Sequence, residues 1–187
     1  MMQASHGVIL ILGIGLVNLA MITYSPARDM STESIPVVKE FDLDRYLGTW
    51  YEIARFPHRF ERDLQQVTAT YSLRDDGKIK VLNRGFNTDK DKWSEATGKA
   101  WVSDPALPAL LKVSFFWPFA ADYKIIVLEE NYRYAMVTSK TKDYFWILSR
   151  TPEMDESTYS ELIKKAQNWG FDTTQIIRVK QIPDANK

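Results

Sequence analysis

Catalysis needs an activated group, and this chain of 187 residues offers few. It has no cysteine, which removes thiolate nucleophiles, disulfides and zinc–thiolate sites together. Its two histidines are His6 and His58. His58 stands beside Arg59 and Phe60, with no Gly-x-Ser-x-Gly turn elsewhere to complete a serine triad, and it reads as a loop residue. The Asp and Glu side chains are scattered without paired spacing for acid–base work, and no glycine-rich loop could cradle a phosphate. The expectation is a protein that is not an enzyme and holds no metal or cofactor. With 24 basic residues against 24 acidic ones, no overall field draws it to nucleic acid.

What the chain does have is aromatic residues in places where binding, not bond-making, is the chemistry. "GTWYEIARFPHRFE", Gly48 to Glu61, sets a Trp–Tyr pair directly after a glycine. "FFWPF", Phe115 to Phe119, puts more aromatic rings in a row than alternation around one interior can hide. "YFWILSR" ends on Arg150. Such rings act only if regular elements aim them.

Those elements are short and alternate in polarity. "QVTATYSL" and "IKVLNRGFN" flank a turn at Asp76-Gly77 and read as a hairpin. "WSEATGKAWV", "LLKVSFFW", "YKIIVLEE", "YRYAMVTS" and "YFWILSR" follow, which with the segment from Gly48 makes eight strands at close spacing. Eight antiparallel strands in an up-and-down meander close into a barrel able to hold one small ligand. One helix is predicted, with Thr151 as N-cap, Pro152 in its first turn and Gly170 as its stop. Its stripe of Tyr159, Leu162, Ile163, Ala166 and Trp169 would pack outside the barrel, and "TTQIIRVKQI" would add a ninth strand. The fold class is therefore all-β, with one C-terminal α-helix.

The first 27 residues carry no Lys, Arg, Asp or Glu, and Val8 to Ile22 is a 15-residue apolar run broken only by Gly13, Gly15 and Asn18. That length suits a signal-peptide core, and an uncleaved N-terminal anchor is the alternative. The expected layout is a leader over 1–27, a polar linker over 28–40, the barrel domain over 41–182 and a tail over 183–187.

From Phe41 to Ile182 the chain resembles a lipocalin of the bacterial group related to apolipoprotein D. The resemblance rests on "GTWYEIAR", "FFWPF", "DYFWILSRTP" and the helix and strand that follow, in that order. The family's Thr-Asp-Tyr-x-x-Tyr motif is degraded here to Glu129–Tyr134, keeping Glu130 and Tyr134. The resemblance implies a barrel floor where Gly48 admits Trp50 and the Arg150 guanidinium lies over the indole. It also turns Tyr71, Asn83 and Trp146 inward, and alternation then adds Ala69, Val81 and Tyr144. Counting from Trp50, the same alternation points Glu52, Ala54 and Phe56 inward, and the pattern of "LLKVSFFW" selects Leu111, Val113 and Phe115. The expected ligand-binding set is Ala54, Phe56, Ala69, Tyr71, Asn83, Val113, Phe115, Tyr144 and Trp146.

The implied function is storage or transport of a fatty acid or lysophospholipid in the bacterial cell envelope. Bacterial relatives are commonly outer-membrane lipoproteins anchored through a cysteine that ends the signal peptide. No lipobox Cys stands in "LVNLAMITYSPA", so the protein is expected in the periplasm or tethered by its leader. The alternative is a filled barrel that works through its aromatic surface, as a homodimer face or a membrane contact.

Overall fold

The computed structural model describes residues 29–182, so the expected leader and tail lie outside the described residues. Eight antiparallel strands form one closed ring: β1 (Gly48–Arg55), β2 (Leu64–Leu73), β3 (Ile79–Asn87), β4 (Lys92–Val102), β5 (Leu110–Phe116), β6 (Phe119–Leu128), β7 (Tyr134–Thr138) and β8 (Phe145–Ser149). Each strand pairs with its sequence neighbours, and β1 closes the ring by pairing with β2 on one side and β8 on the other. In such a meander the β1–β2, β3–β4, β5–β6 and β7–β8 connections share one end, here termed the mouth. The other end, where β1 starts, is the floor.

Closure is uneven, and the chain repairs it. β1 pairs with β2 only from Gly48 to Tyr51, and beyond that point the two part. The predicted ninth strand reduces to β9, Ile177–Arg178, which takes the vacated edge of β1 at Ala54 and Arg55. Just beyond it the Gln181 amide donates to the carbonyls of Glu52 and Val67, at 2.8 and 3.0 Å, bridging the gap between the strands. Backbone acceptors that would be orphaned at the split are satisfied this way.

A short helix, α1 (Leu43–Tyr46), precedes β1 and was invisible to periodicity because it is one turn long; the Asp42 side chain caps it by accepting from the Asp44 and Arg45 amides. The C-terminal helix, α2 (Glu156–Asn168), starts later than Thr151. Asp155 is the N-cap, accepting from the Thr158 amide at 2.8 Å, while the Thr151 hydroxyl donates to the Glu153 carbonyl in a preceding turn. A carboxylate at N-cap competes well with a hydroxyl, and here the carboxylate stands at the first position from which helical backbone continues. Gly170, at φ +78°, ends the helix as its sequence position implied.

Two cores result. One fills the lower barrel around Trp50, Tyr46, Tyr71, Leu111 and Val137. The other lies between the outer face of the sheet and α2, joining Ile53, Ala54, Phe56, Phe145 and Ile147 to Leu162, Ala166 and Phe171. The segment expected as a polar linker is packed instead: Thr32 and Ile35 are buried, and the Thr32 hydroxyl donates to the Ser139 carbonyl at 2.7 Å. It runs as a strap from the β7–β8 loop toward the floor, held by Ile35 in the outer core and by the Val38 amide donating to Ile125. Its polar composition hides this, because four side chains, Thr32, Ile35, Val37 and Val38, do the packing together with the backbone.

Candidate functional site

The barrel floor is built around one ring. Trp50 is fully buried, its Nε1 donates to the Tyr46 carbonyl at 2.9 Å, and the Arg150 guanidinium lies 3.9 Å from the ring centroid. Arg150 also donates to the carbonyls of Thr49 (3.0 Å), Arg45 (2.7 Å) and Tyr132 (3.3 Å), tying α1, β1 and the β6–β7 turn together. Gly48 is at φ +92°, and a Cβ there would stand 3.3 Å from an Arg150 nitrogen, so the glycine admits both the backbone turn and the guanidinium.

Above the floor lies a cavity of about 650 Å³. Its lower wall carries Tyr46, Tyr71 and Tyr123, whose hydroxyls form a chain: Tyr46 to Tyr123 at 2.7 Å and Tyr123 to Tyr71 at 2.9 Å. Burial holds all three phenols above their ordinary range, Tyr71 at about 12, so this deep polar point is neutral. The rest of the lower and middle wall is apolar, from Ala69, Ile79, Val81, Ala100, Leu111, Val113, Phe115 and Leu148. Asn83 is the polar exception, and its Oδ1 is buried without a hydrogen-bond partner.

Toward the mouth the wall carries charge. Glu52 and Glu61 both reach the cavity, and between them Arg55 is buried behind the wall. Arg55 donates to Glu52 at 2.7 Å and to the carbonyls of Glu61 and Leu64 at 2.7 and 3.0 Å, which anchors the β1–β2 loop to the barrel. Its Nε stands 3.9 Å from the Glu61 carboxylate. Two carboxylates share one guanidinium in a dry wall: burial, then their mutual repulsion, pushes Glu52 up to about 8, while burial raises Glu61 against the pull of Arg55. Trp146 Nε1 donates to Glu61 at 3.3 Å, and the His58 ring packs 4.7 Å from Trp146 and 5.0 Å from Tyr144. Burial, with the Arg55 charge second, lowers His58 to about 4, so it is a neutral ring in the mouth.

Of the nine residues expected to contact ligand, the cavity wall holds seven: Ala69, Tyr71, Asn83, Val113, Phe115, Tyr144 and Trp146. Ala54 and Phe56 are not among them. The pairing of β1 with β8 shifts between Glu52 and Ala54, leaving Ile53 as a bulge. An extra residue reverses every side chain beyond it. Glu52 therefore keeps the inward aim counted from Trp50, while Ala54 and Phe56 turn out beneath α2, where Phe56 meets Phe145 at 5.3 Å and Phe171 at 6.3 Å. Sequence reasoning also missed Glu61, Leu64 and Tyr123, since nothing in local alternation shows that a loop folds back over the mouth or that β6 begins at Phe119. Among the described residues, no group of three or more His, Asp or Glu is placed to hold a metal.

A closed barrel with a plugged floor, an apolar interior and an open mouth defines a binding protein for small hydrophobic ligands. The Lipocalin-like domain family matches residues 41–181. The outer membrane lipoprotein Blc of Escherichia coli K12 is 51% identical over 147 residues, covering 79% of this chain and 83% of that protein. The Blc of Vibrio cholerae is 47% identical over 150 residues, covering 80% and 88%, and apolipoprotein D of Rattus norvegicus is 37% identical over 144 residues, covering 69% and 71%. The chain belongs to the lipocalins, in the bacterial group related to apolipoprotein D. Among solved structures, lobster apocrustacyanin A1 superposes with a TM-score of 0.65 at 18% identity, covering 84% of this chain and 93% of that one. Insecticyanin from Manduca sexta gives 0.63 at 19% identity, covering 81% and 86%. At such identity these two bear on the fold alone.

Proposed function

We propose that this protein carries or stores a single-chain lipid, a fatty acid or a lysophospholipid, in the bacterial cell envelope, and does so without catalysis. The cavity supports this reading most directly: about 650 Å³, apolar over most of its wall and open at one end. Its size falls within the range of small-molecule pockets, and an acyl chain buried there gains about 0.8 kcal/mol per methylene. The neutral tyrosine hydroxyls at the bottom and the polar groups near the mouth give a chain with one polar head two places to set that head. An envelope setting is drawn from the relatives named outer membrane lipoprotein. Without a cysteine to carry a lipid, the reading places this chain in the periplasm or on its own leader. A filled barrel would have no room for ligand, and the open cavity disfavours that alternative.

The test is extraction. Organic extracts of the protein purified from a bacterial envelope should contain acyl lipids in reproducible stoichiometry by mass spectrometry. Matched chains added to delipidated protein should bind more tightly with each methylene until the cavity is full. Extracts without lipid, together with affinity independent of chain length, would overturn the reading.

A further inference from the structure

We infer that the wall carrying Glu52 and Glu61 is an ammonium site, through which the cavity takes a further class of ligand: single-chain cationic amphiphiles, long-chain amines or quaternary ammonium chains. Their tails would use the apolar interior proposed above for acyl chains, and on that reading the inference rests.

The wall there is one positive charge short. Glu52 and Glu61 both line the cavity and are each more than nine-tenths buried, while the single guanidinium between them, Arg55, stands behind the lining. Glu52 gives one carboxylate oxygen to Arg55 at 2.7 Å, and its other oxygen, Oε2, accepts from no group among the described residues. The Glu61 carboxylate accepts from Trp146 Nε1 at 3.3 Å and lies 3.9 Å from Arg55 Nε, too far for a hydrogen bond. Two ionised carboxylates around one guanidinium leave a net negative charge in a dry wall, which is costly. A proton is one remedy. A ligand cation is the other.

The surroundings suit a cation. Trp146 and Tyr144 line the cavity beside Glu61 with their planes 19° apart, and the His58 ring packs against both. Aromatic faces next to a carboxylate are the usual means of recognising a quaternary ammonium. Elsewhere on the wall Glu95 and Asp122 add further acid. Arg84, the one cation lining the cavity among the described residues, is drawn off by Glu95 at 3.3 Å and by the Trp93 ring at 3.6 Å. An anionic head would meet like charge here, whereas a cationic head supplies the missing counter-charge.

Cation binding and proton release are then one event. The titratable and charged groups facing the two carboxyls are Arg55 on β1, His58 on the β1–β2 loop, Tyr144 ahead of β8, and Tyr71 on β2 with its hydroxyl partners Tyr123 and Tyr46. His58, at about 4, and the three raised phenols of the floor keep one protonation state between pH 6 and 8, so Glu52 and Glu61 carry the change. A permanent cation beside them favours their ionised form, so its affinity rises with pH until Glu52 ionises unaided, near 8.

The experiment compares decyltrimethylammonium with decanol by calorimetric titration of the full chain, so that the tail is constant and only the head differs. At pH 8 the ammonium should bind about tenfold more tightly than the alcohol, the scale of a partly desolvated cation–π contact. Its affinity should fall roughly fivefold or more toward pH 6, and buffers of different ionisation enthalpy should report proton release on binding. The trimethylammonium head does not titrate, so that slope belongs to the protein. Glu52→Gln leaves Arg55 one to one with Glu61 and should remove both the preference and the slope, and Glu61→Gln should act in the same direction. Equal affinity for the two chains at pH 8, a level pH profile in the wild type, or a preference that survives in both glutamine variants would overturn the inference. Decanol separates the two readings: decanol bound without any ammonium preference overturns the cation site and leaves lipid carriage standing, while failure of both chains to bind overturns both.

Discussion

Trp50 and Arg150 show how two side chains a hundred residues apart can fix one end of a barrel. The indole fills the floor, and the guanidinium that covers it spends its hydrogen bonds on three backbone carbonyls from different segments. Trp50→Ala should therefore cost about 3–5 kcal/mol in denaturant unfolding, as removal of a large buried ring does. Arg150→Ala should be milder. The double mutant should show a coupling of roughly 0.5–2 kcal/mol, the scale of a partly desolvated cation–π contact, and additivity would deny that contact. Trp146 serves differently. Its ring borders the cavity and its Nε1 reaches Glu61, so a bound acyl chain must exclude water from the indole. Trp146→Phe should remove most of the ligand-dependent emission change while weakening acyl binding by only about 1 kcal/mol, because a smaller ring still packs on the chain. An unchanged emission response would mean that ligand sits elsewhere in the barrel.

The β1 strand shows where the sequence could be read and where it could not. Alternation from Trp50 holds as far as Glu52 and reverses at the Ile53 bulge, so one extra residue sends Ala54 and Phe56 to the helix side. A bulge leaves no mark in composition; it is set by how β1 must bend from β2 toward β8 and β9. On β2, β3 and β8 the family resemblance set the inward face at Tyr71, Asn83 and Trp146 and alternation carried it along each strand, while on β5 the pattern of "LLKVSFFW" selected it, and the cavity wall holds these positions. The β1–β2 loop was opaque for another reason: Glu61 reaches the cavity only because Arg55, itself buried, ties that loop down. The bulge makes a direct prediction. Ala54→Leu should overpack the core under α2 and lower stability by about 1–3 kcal/mol, with acyl affinity preserved in the folded protein. Ala69→Leu, on the cavity wall, should do the converse, losing about 1–2 kcal/mol of acyl affinity with little change in melting temperature, since its added methylenes occupy ligand space. Thermal melts and a displacement titration on the two variants separate these outcomes, and an exchange of the two phenotypes would place the bulge elsewhere.

Across the whole molecule, balanced charge makes a few buried groups decide how stability varies with pH. With 24 residues of each sign, self-repulsion is small near neutrality. His58 is neutral in the fold, lowered from 6.5 to about 4, so the unfolded chain binds its proton more readily and stability falls as pH drops from 6.5 toward 4. Asp155 at its N-cap and Glu129 beside Arg133 are held below the ordinary carboxylate range, and they deepen the loss below that range. Glu52 works in the opposite sense. Its folded value lies above its unfolded one, so the native state binds the extra proton, and stability declines as pH rises from 4.5 toward 8. Between 4.5 and 6.5 the His58 slope opposes that of Glu52, which Glu61, also raised by burial, shares in sign, and above 6.5 the carboxylate slopes remain. Melting temperature should therefore be flat across mildly acidic pH and fall toward pH 8. Glu52→Gln keeps the neutral shape of the side chain and leaves Arg55 with Glu61, so it should remove most of that alkaline decline while changing little at pH 5. A decline of the same steepness in Glu52→Gln would mean that Glu52 is already ionised in the fold, with the Arg55 pair outweighing its burial.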